Sequence, residues 1–311
     1  MPLRSAAREG IAKVVRWSGA PAVLRRTHRR RHATILFYHD PKPAVMDAHL
    51  RHLRRHFHFT TLDTVVDAIQ RRDCSDVPDG AAVLTLDDGH RGNFDLLPVF
   101  QRHGVTPTIY LCSQVVATRR RFWFQQPGWK PGVHAEPYKH MRSADRIDTL
   151  KRELGFELEG EYPEQERQAL TRAEIDAMAP FVDFEVHTRF HPILQQCTAE
   201  EAWEEIAESK RELEQMLGRE CRHFSYPNGD YTAREVELVR RAGFASARTV
   251  DLGWAKLSSD PYRLKVFGIS DDASIDKLSM QLSGIPGYVQ RAMQGQRGGL
   301  WPITPPARQK R

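Results

Sequence analysis

The sequence has few cysteines, and their spacing matches no metal-binding or disulfide pattern. The four residues of this type, Cys74, Cys112, Cys197 and Cys221, are scattered along a chain of 311 residues, and no two form a Cys-x-x-Cys arrangement. Such scatter indicates neither a structural zinc cluster nor a disulfide framework. We therefore expect a protein of a reducing compartment.

A long hydrophobic run is also absent. No stretch approaches the roughly 18 consecutive apolar residues that a membrane-spanning helix needs. Glu9 and Arg16 interrupt the N-terminal apolar residues at the place where a signal peptide would have its hydrophobic core. The sequence therefore predicts a cytoplasmic protein, with peripheral attachment to the inner membrane as an open alternative.

Positive charge is concentrated at the N-terminus. The formal charge is +6, yet residues 1–32 contain nine basic residues and one acidic residue, so the remainder is slightly acidic. This segment predicts a short basic amphipathic helix that either lies on anionic lipid or packs on the domain. Nucleic-acid binding is disfavoured because the charge is confined to one arm and no recognition motif accompanies it.

From residue 33 onward, short apolar runs alternate with segments of helical period. This alternation is typical of an α/β protein whose parallel strands are joined by crossover helices, and the length favours one large domain. The strand candidates are Thr34 to Tyr38, Ala82 to Leu86, Thr108 to Leu111, Val182 to Val186, His223 to Tyr226, and Ala245 to Thr249.

Three regions divide the chain. We expect a basic segment at 1–32, a barrel domain at 33–290 and a disordered tail at 291–311, because the tail is rich in proline and glycine. Within the barrel, residues 119–170 break the rhythm and predict an insertion over one end. The aromatic residues of this insertion either stack on sugar rings or form a small core of their own.

Polar residues recur just after the predicted strands. His39 follows the first strand, Asp87 and Asp88 follow the second, and His187 begins the segment HTRFHP after a later one. In a parallel barrel these positions converge on one mouth. His187 and His191 can reach one ion, and an aspartate would complete a metal set with open positions. Two adjacent buried carboxylates also need a compensating cation.

Three ordered motifs carry a family resemblance. TLDDG, HTRFHP and SYPNG follow an FYHD strand, and this order resembles the polysaccharide deacetylases of the NodB homology type, which are carbohydrate esterases acting on N-acetylated glycans. The resemblance covers roughly residues 33–270. It implies a distorted (β/α)7-type barrel and a divalent metal, most often Zn²⁺, with Co²⁺, Ni²⁺, Mn²⁺ or Fe²⁺ as alternatives.

The resemblance also implies roles for individual residues. Asp87 would be the base that activates water at the metal, and Asp88, His187 and His191 would bind the metal. The backbone N–H of the third motif would hold the oxyanion of the attacked carbonyl. The predicted substrate-binding turn consists of Tyr226, Pro227, Asn228, which supplies this N–H, and Gly229.

Two residues that the family uses are missing at their usual positions. Ser225 stands where an arginine normally orients the catalytic acid, and Arg263 or Lys265 is the predicted replacement. A C-terminal Leu-x-x-His motif, whose histidine protonates the leaving amine, is not evident, because no histidine follows His223. His39 is the predicted substitute, although it could equally be a histidine that is hydrogen-bonded in the core.

The sequence therefore predicts a metal-dependent N-deacetylase of an amino-sugar glycan, either a polysaccharide or a lipid-linked oligosaccharide. Two other functions remain open. The same site could hydrolyse a small cyclic amide or ureide, or the missing residues could leave a degenerate domain that only binds glycan.

Overall fold

The protein is described from a computed structural model, which covers residues 32–130 and 133–284 together with Gly10 and Lys13. The predictions for the tail 291–311 lie outside the described residues. So do those for the basic segment 1–32, apart from His32 and these two isolated positions.

The strands of the described residues belong to one sheet. They are β1 (His32–Tyr38), β2 (His58–Phe59), β3 (Ala81–Leu86), β4 (Thr108–Leu111), β5 (Asp183–Val186), β6 (His223–Ser225), β7 (Ser246–Leu252), β8 (Ala255–Lys256) and β9 (Leu264–Gly268). Each of the six predicted strands is present; Thr108 to Leu111 matches at both ends, and no end of the others is shifted by more than three residues.

Seven parallel strands close into a barrel. Their order is β1, β3, β4, β5, β6, β7 and β9, and β9 returns to β1. Ile35 of β1 lies opposite Val83 of β3 on one side, and Phe37 lies opposite Gly268 of β9 on the other. The short strand β2 adds to β3 in parallel, and β8 pairs antiparallel with the start of β1. The predicted (β/α)7-type barrel is confirmed.

Helices pack against the barrel. They are α1 (Pro43–Leu53), α2 (Leu62–Arg71), α3 (Leu97–His103), α4 (Ser143–Leu154), α5 (Arg172–Met178), α6 (Ala199–Leu217), α7 (Ala233–Arg241) and α8 (Ile275–Leu282). Three of them begin with a capping box, formed by Thr171 with Glu174, Thr198 with Glu201, and Thr232 with Glu235. These boxes satisfy N–H groups that a helix start leaves free. None of the helices in the described part of the chain is long and apolar enough to cross a membrane.

Successive side chains of the strands point alternately into the barrel and out of it, and they form two separate apolar clusters. In β1, Ile35 and Phe37 belong to the cluster inside the barrel, whereas Leu36 and Tyr38 pack outward against the helices. Successive side chains of a strand point to opposite faces, so every second residue enters the barrel. The inward positions at the carboxyl ends of the strands are therefore where functional side chains can meet.

Residues 119–170, the predicted insertion between β4 and β5, form most of a small separate core. Trp123, Leu150 and Phe156 are buried there, and Trp129 stacks on Tyr138 at its edge, with ring centroids 5.4 Å apart. Of the two interpretations left open for these aromatic residues, the packing favours a local core.

Candidate active site

The loops after β3, β5 and β6 meet at one mouth of the barrel. Asp88 follows β3, His191 lies in the loop after β5, and Asn228 lies in the turn after β6. All three have a positive φ, at 73°, 59° and 57°. Residues other than glycine rarely adopt this conformation, and its cost is retained mainly where a precise side-chain position matters.

Asp88, His187 and His191 form a candidate metal centre. One potential ligand atom from each lies within 4.8 Å of the others, and all three residues are buried. The Oδ1 atom of Asp88 is 3.4 Å from Nε2 of His187 and 3.3 Å from Nε2 of His191. Two imidazoles and one carboxylate leave coordination positions free for water and substrate.

The donor set fits a divalent cation. Nδ1 of His187 lies 2.7 Å from the carbonyl oxygen of Ser225. A carbonyl only accepts, so Nδ1 carries the proton and the lone pair of Nε2 faces the Asp88 carboxylate. Within the described residues, Oδ1 of Asp88 is buried without a hydrogen-bond partner. A cation between this oxygen and the Nε2 atoms of His187 and His191 would give their lone pairs a common partner.

The pKa values of Asp88 and His191 favour the protonation states that bind a metal. Burial alone would raise the pKa of Asp88, but His191, His90 and His187 together hold it well below its ordinary value. Burial lowers the pKa of His191 to about 3, despite the opposing effect of Asp88. The carboxylate is therefore ionised and the imidazole neutral near pH 7, which are the forms that bind metal.

The loop that carries His191 is held by a buried glutamate. Oε2 of Glu205, on α6, accepts hydrogen bonds from the backbone N–H groups of Arg189 at 2.8 Å and Phe190 at 3.0 Å. Burial raises the pKa of Glu205 to about 7, against an opposing effect of these two hydrogen bonds. The loop therefore depends on a carboxylate that is costly to ionise.

Glu205→Gln is expected to remove a pH-dependent loss of stability in the metal-free protein. A raised folded-state pKa means that the stabilisation is complete below about 4.5 and is lost as the pH rises through about 7. Glutamine retains the accepting oxygen and does not ionise. At pH 8 the variant should exceed wild type by on the order of 3 kcal/mol in free energy of unfolding, with little difference at pH 4.5. Denaturant titrations of both proteins check this. Equal free energies of unfolding for the variant and wild type at pH 8 would contradict it.

Asp87 forms a buried ion pair with Arg248. The Nη2 atom of this arginine, on β7, donates to both carboxylate oxygens of Asp87, and it donates to Oγ of Ser225 at 2.5 Å. Arg248 is 1% exposed, and the rings of Phe37 and Tyr110 flank its guanidinium at 4.7 and 5.2 Å. The geometry fixes the orientation of the Asp87 carboxylate.

The prediction that Arg263 or Lys265 supplies this cation is wrong. Arg263 is half exposed and pairs with Asp260 on the surface, and Lys265 is an exposed residue of β9 whose side chain packs near Gly253. Arg248 was missed because it lies on the neighbouring strand, directly opposite Ser225 in the register of β6 and β7. Its only signal in the sequence is a basic residue within the apolar segment ASARTV.

His39 lies at the end of β1 and is partly buried. Its ring meets the ring of Phe37 edge-on, with centroids 5.6 Å apart, and Phe37 in turn contacts Arg248. Its backbone N–H donates to Oδ1 of Asp271 at 3.1 Å, and its carbonyl accepts from Asn93 at 2.9 Å. The loop position of His39 is therefore fixed at the same mouth, one aromatic ring away from the Asp87–Arg248 pair.

The turn after β6 contains two residues of positive φ, Asn228 and Gly229, and its preceding residue Tyr226 faces the core. Gly229 has φ 76°, and an added Cβ would lie 2.2 Å from Val250. Pro227 is buried, and the side chain of Asn228 donates to Asp230 at 2.5 Å. Tyr226 is 1% exposed, and its hydroxyl donates to the carbonyl of Tyr262. It supports the turn from the core, which corrects its prediction as a substrate-binding residue.

Aromatic residues of the insertion contact the candidate metal ligands. The ring of Phe124 lies 4.6 Å from that of His191, and Nε1 of Trp123 donates to the His191 carbonyl at 2.8 Å. Phe122 meets the ring of His90 at 5.2 Å. The insertion thus shields one side of the site from water.

The chain belongs to the polysaccharide deacetylase family, whose sequence profile matches residues 75–247, more than half of the chain. No protein of curated function matches it significantly. Among solved structures it resembles the Streptococcus pyogenes deacetylase PplD, determined with acetate, at TM-score 0.59 and 16% identity over 81% of this chain and 98% of that one. IcaB from Ammonifex degensii is similar at TM-score 0.58 and 16% identity, with 82% and 98% covered. So is BC0361, a polysaccharide deacetylase from Bacillus cereus, at TM-score 0.56 and 16% identity, with 81% and 69% covered.

Proposed function

We propose that the protein is a metal-dependent hydrolase that removes N-acetyl groups from an amino-sugar glycan. The observation that carries this proposal is the pairing of two adjacent acids with different partners. Asp88 faces two imidazoles, whereas Asp87 faces a buried guanidinium. One carboxylate is thereby placed to bind a metal while its neighbour keeps a lone pair for proton transfer.

The metal would be held by Asp88, His187 and His191. Zn²⁺ suits a set of two nitrogens and one oxygen, and Co²⁺, Ni²⁺, Mn²⁺ and Fe²⁺ are alternatives that the same ligands accept. When bound, such an ion supplies Lewis acidity, polarising the acetamide carbonyl and making water acidic near neutral pH.

The residues of the chain would then move protons and hold charge. Asp87 accepts the proton of the attacking water as the new C–O bond forms, and Arg248 keeps its carboxylate in the required orientation. The backbone N–H of Asn228 stabilises the negative charge that develops on the carbonyl oxygen. His39 donates a proton to the nitrogen as the C–N bond breaks, so acetate and a free amine are released.

Two features support a glycan as the substrate. The family acts on polysaccharides, and two of the similar structures are described as a deacetylase and a polysaccharide deacetylase. A degenerate binding domain is disfavoured because Arg248 replaces the arginine whose apparent loss suggested it.

We further propose that residues 33–290 form the catalytic domain and that the basic segment 1–32 brings it to an anionic membrane surface from the cytoplasm.

Acetate release from N-acetylglucosamine oligomers tests this function. Zn²⁺-loaded wild type should release acetate, and chelation should abolish release until the metal is restored. His187→Ala should remain inactive after reloading because it loses a ligand. His103→Ala is the matched control, since His103 of α3 contacts Asp47 of α1 between these two helices and should retain activity. Failure of the loaded wild type to release acetate from any acetylated oligomer would refute the proposal.

A further inference from the structure

A third histidine contacts the candidate metal centre from outside the ligand set. His90 directly follows the Asp-Asp-Gly segment, and its Nε2 lies 3.0 Å from Oδ2 of Asp88. The ligand atoms that share one potential ion belong to Asp88, His187 and His191, and His90 is not among them. The two oxygens of Asp88 are thus divided, Oδ1 towards the metal position and Oδ2 towards His90.

The position of His90 is itself fixed. The residue is 8% exposed, and Phe122 of the insertion packs edge-on against its ring. Its backbone forms an antiparallel bridge with Ala169, and the neighbouring Gly89 carbonyl accepts from Leu170 at 2.9 Å. Both ends of the insertion therefore hold the ring that meets Asp88.

We propose that His90 is a positioning residue that restrains Asp88 to bind the metal through Oδ1 alone. The carboxylate would otherwise be free to rotate about its last side-chain bond, since Oδ1 has no hydrogen-bond partner within the described residues. A hydrogen bond from a fixed Nε2–H to Oδ2 removes this freedom. Such contacts to a metal-binding carboxylate typically change metal affinity by 10–100-fold when lost.

The inference rests on the metal site of the proposed function, but it is tested by metal binding rather than by turnover. The variants His90→Gln and His90→Met have similar size and lose the Phe122 contact alike, but only glutamine retains an N–H donor. We expect His90→Met to bind Zn²⁺ about 10–100-fold more weakly than wild type, and His90→Gln to bind close to wild type. The dissociation constant is measured by competition with a chromophoric chelator.

A matched control and a spectroscopic readout separate positioning from general stability. His103→Met removes a similar imidazole–carboxylate contact, 2.9 Å from Asp47, and should bind Zn²⁺ as wild type does. The visible spectrum of bound Co²⁺ should change in His90→Met and be largely restored in His90→Gln. Equal affinities and spectra for wild type and His90→Met would overturn the inference.

The hydrogen bond can also be observed without a variant, should His90→Met fail to fold. In nitrogen-15-labelled wild type with Zn²⁺ bound, Nε2 of His90 should carry a proton that exchanges slowly with water. An unprotonated Nε2 would overturn the inference. A wild type that binds zinc but releases no acetate would refute the proposed function and leave the role of His90 intact.

Discussion

Arg248→Met is expected to reduce acetate release by about 10²-fold or more, because a carboxylate displaced by about 1 Å costs catalysis on that order. It should also destabilise the fold by about 3–5 kcal/mol, since it removes one partner of a buried ion pair. Zinc affinity should change little, as Arg248 contacts Asp87 and Ser225 and none of the metal ligands. Steady-state kinetics, denaturant titration and metal competition check the three effects.

Two sets of control variants test whether the effect is specific to the arginine that contacts Asp87. Arg263→Met and Lys265→Met remove the cations that the sequence suggested, and both should retain wild-type turnover because these side chains are exposed. The double variant Ser225→Arg with Arg248→Ser returns the arginine to the neighbouring strand, directly across the β6–β7 register. It should recover part of the activity that Arg248→Ser loses. Wild-type turnover in Arg248→Met would show that Asp87 needs no buried cation.

The grouping of Asp88, His187 and His191 as a candidate metal site was predictable because these residues follow directly from local sequence. A parallel barrel places the residue after each strand at one mouth, so a strand end fixes a position in space without any knowledge of strand order. Asp88 and His187 follow β3 and β5, and His191 comes only four positions after His187. The alternation of strands and helices predicted an α/β fold, and the family resemblance predicted its closure into a (β/α)7-type barrel.

Arg248 could not be predicted in this way because its role depends on which strands are neighbours. It lies 161 positions from Asp87 along the chain, and the two meet only when β7 pairs with β6 and the barrel closes. The direction of the Tyr226 side chain depends in the same way on the packing of Tyr262 against α7 and β7. His90 shows a third case, in which a residue beside a motif acquires its contact from a loop conformation with positive φ.

Asp87→Asn is expected to reduce turnover by about 10²–10⁴-fold while zinc affinity stays near that of wild type, because general-base catalysis contributes on that scale. Oδ2 of Asp87 is 4.0 Å from Nε2 of His187, farther than the nearest Asp88 oxygen, and both Asp87 oxygens accept from Arg248 while each keeps a second lone pair. Asparagine keeps one oxygen for Arg248 but leaves its guanidinium without a counter-charge, so the free energy of unfolding should also fall by about 3–5 kcal/mol, as in Arg248→Met. Acetate release and metal competition on the same preparation measure the two quantities.

The adjacent variant Asp88→Asn is the matched comparison, because the same atom is exchanged one residue away. It should lose zinc affinity and turnover together, since a neutral amide is a poor ligand for a divalent cation. The ratio of the zinc affinities of the two variants therefore reports which of the two acids is a metal ligand. If Asp87→Asn lost zinc as fully as Asp88→Asn, Asp87 would be a ligand, and the proton of the attacking water would need another acceptor.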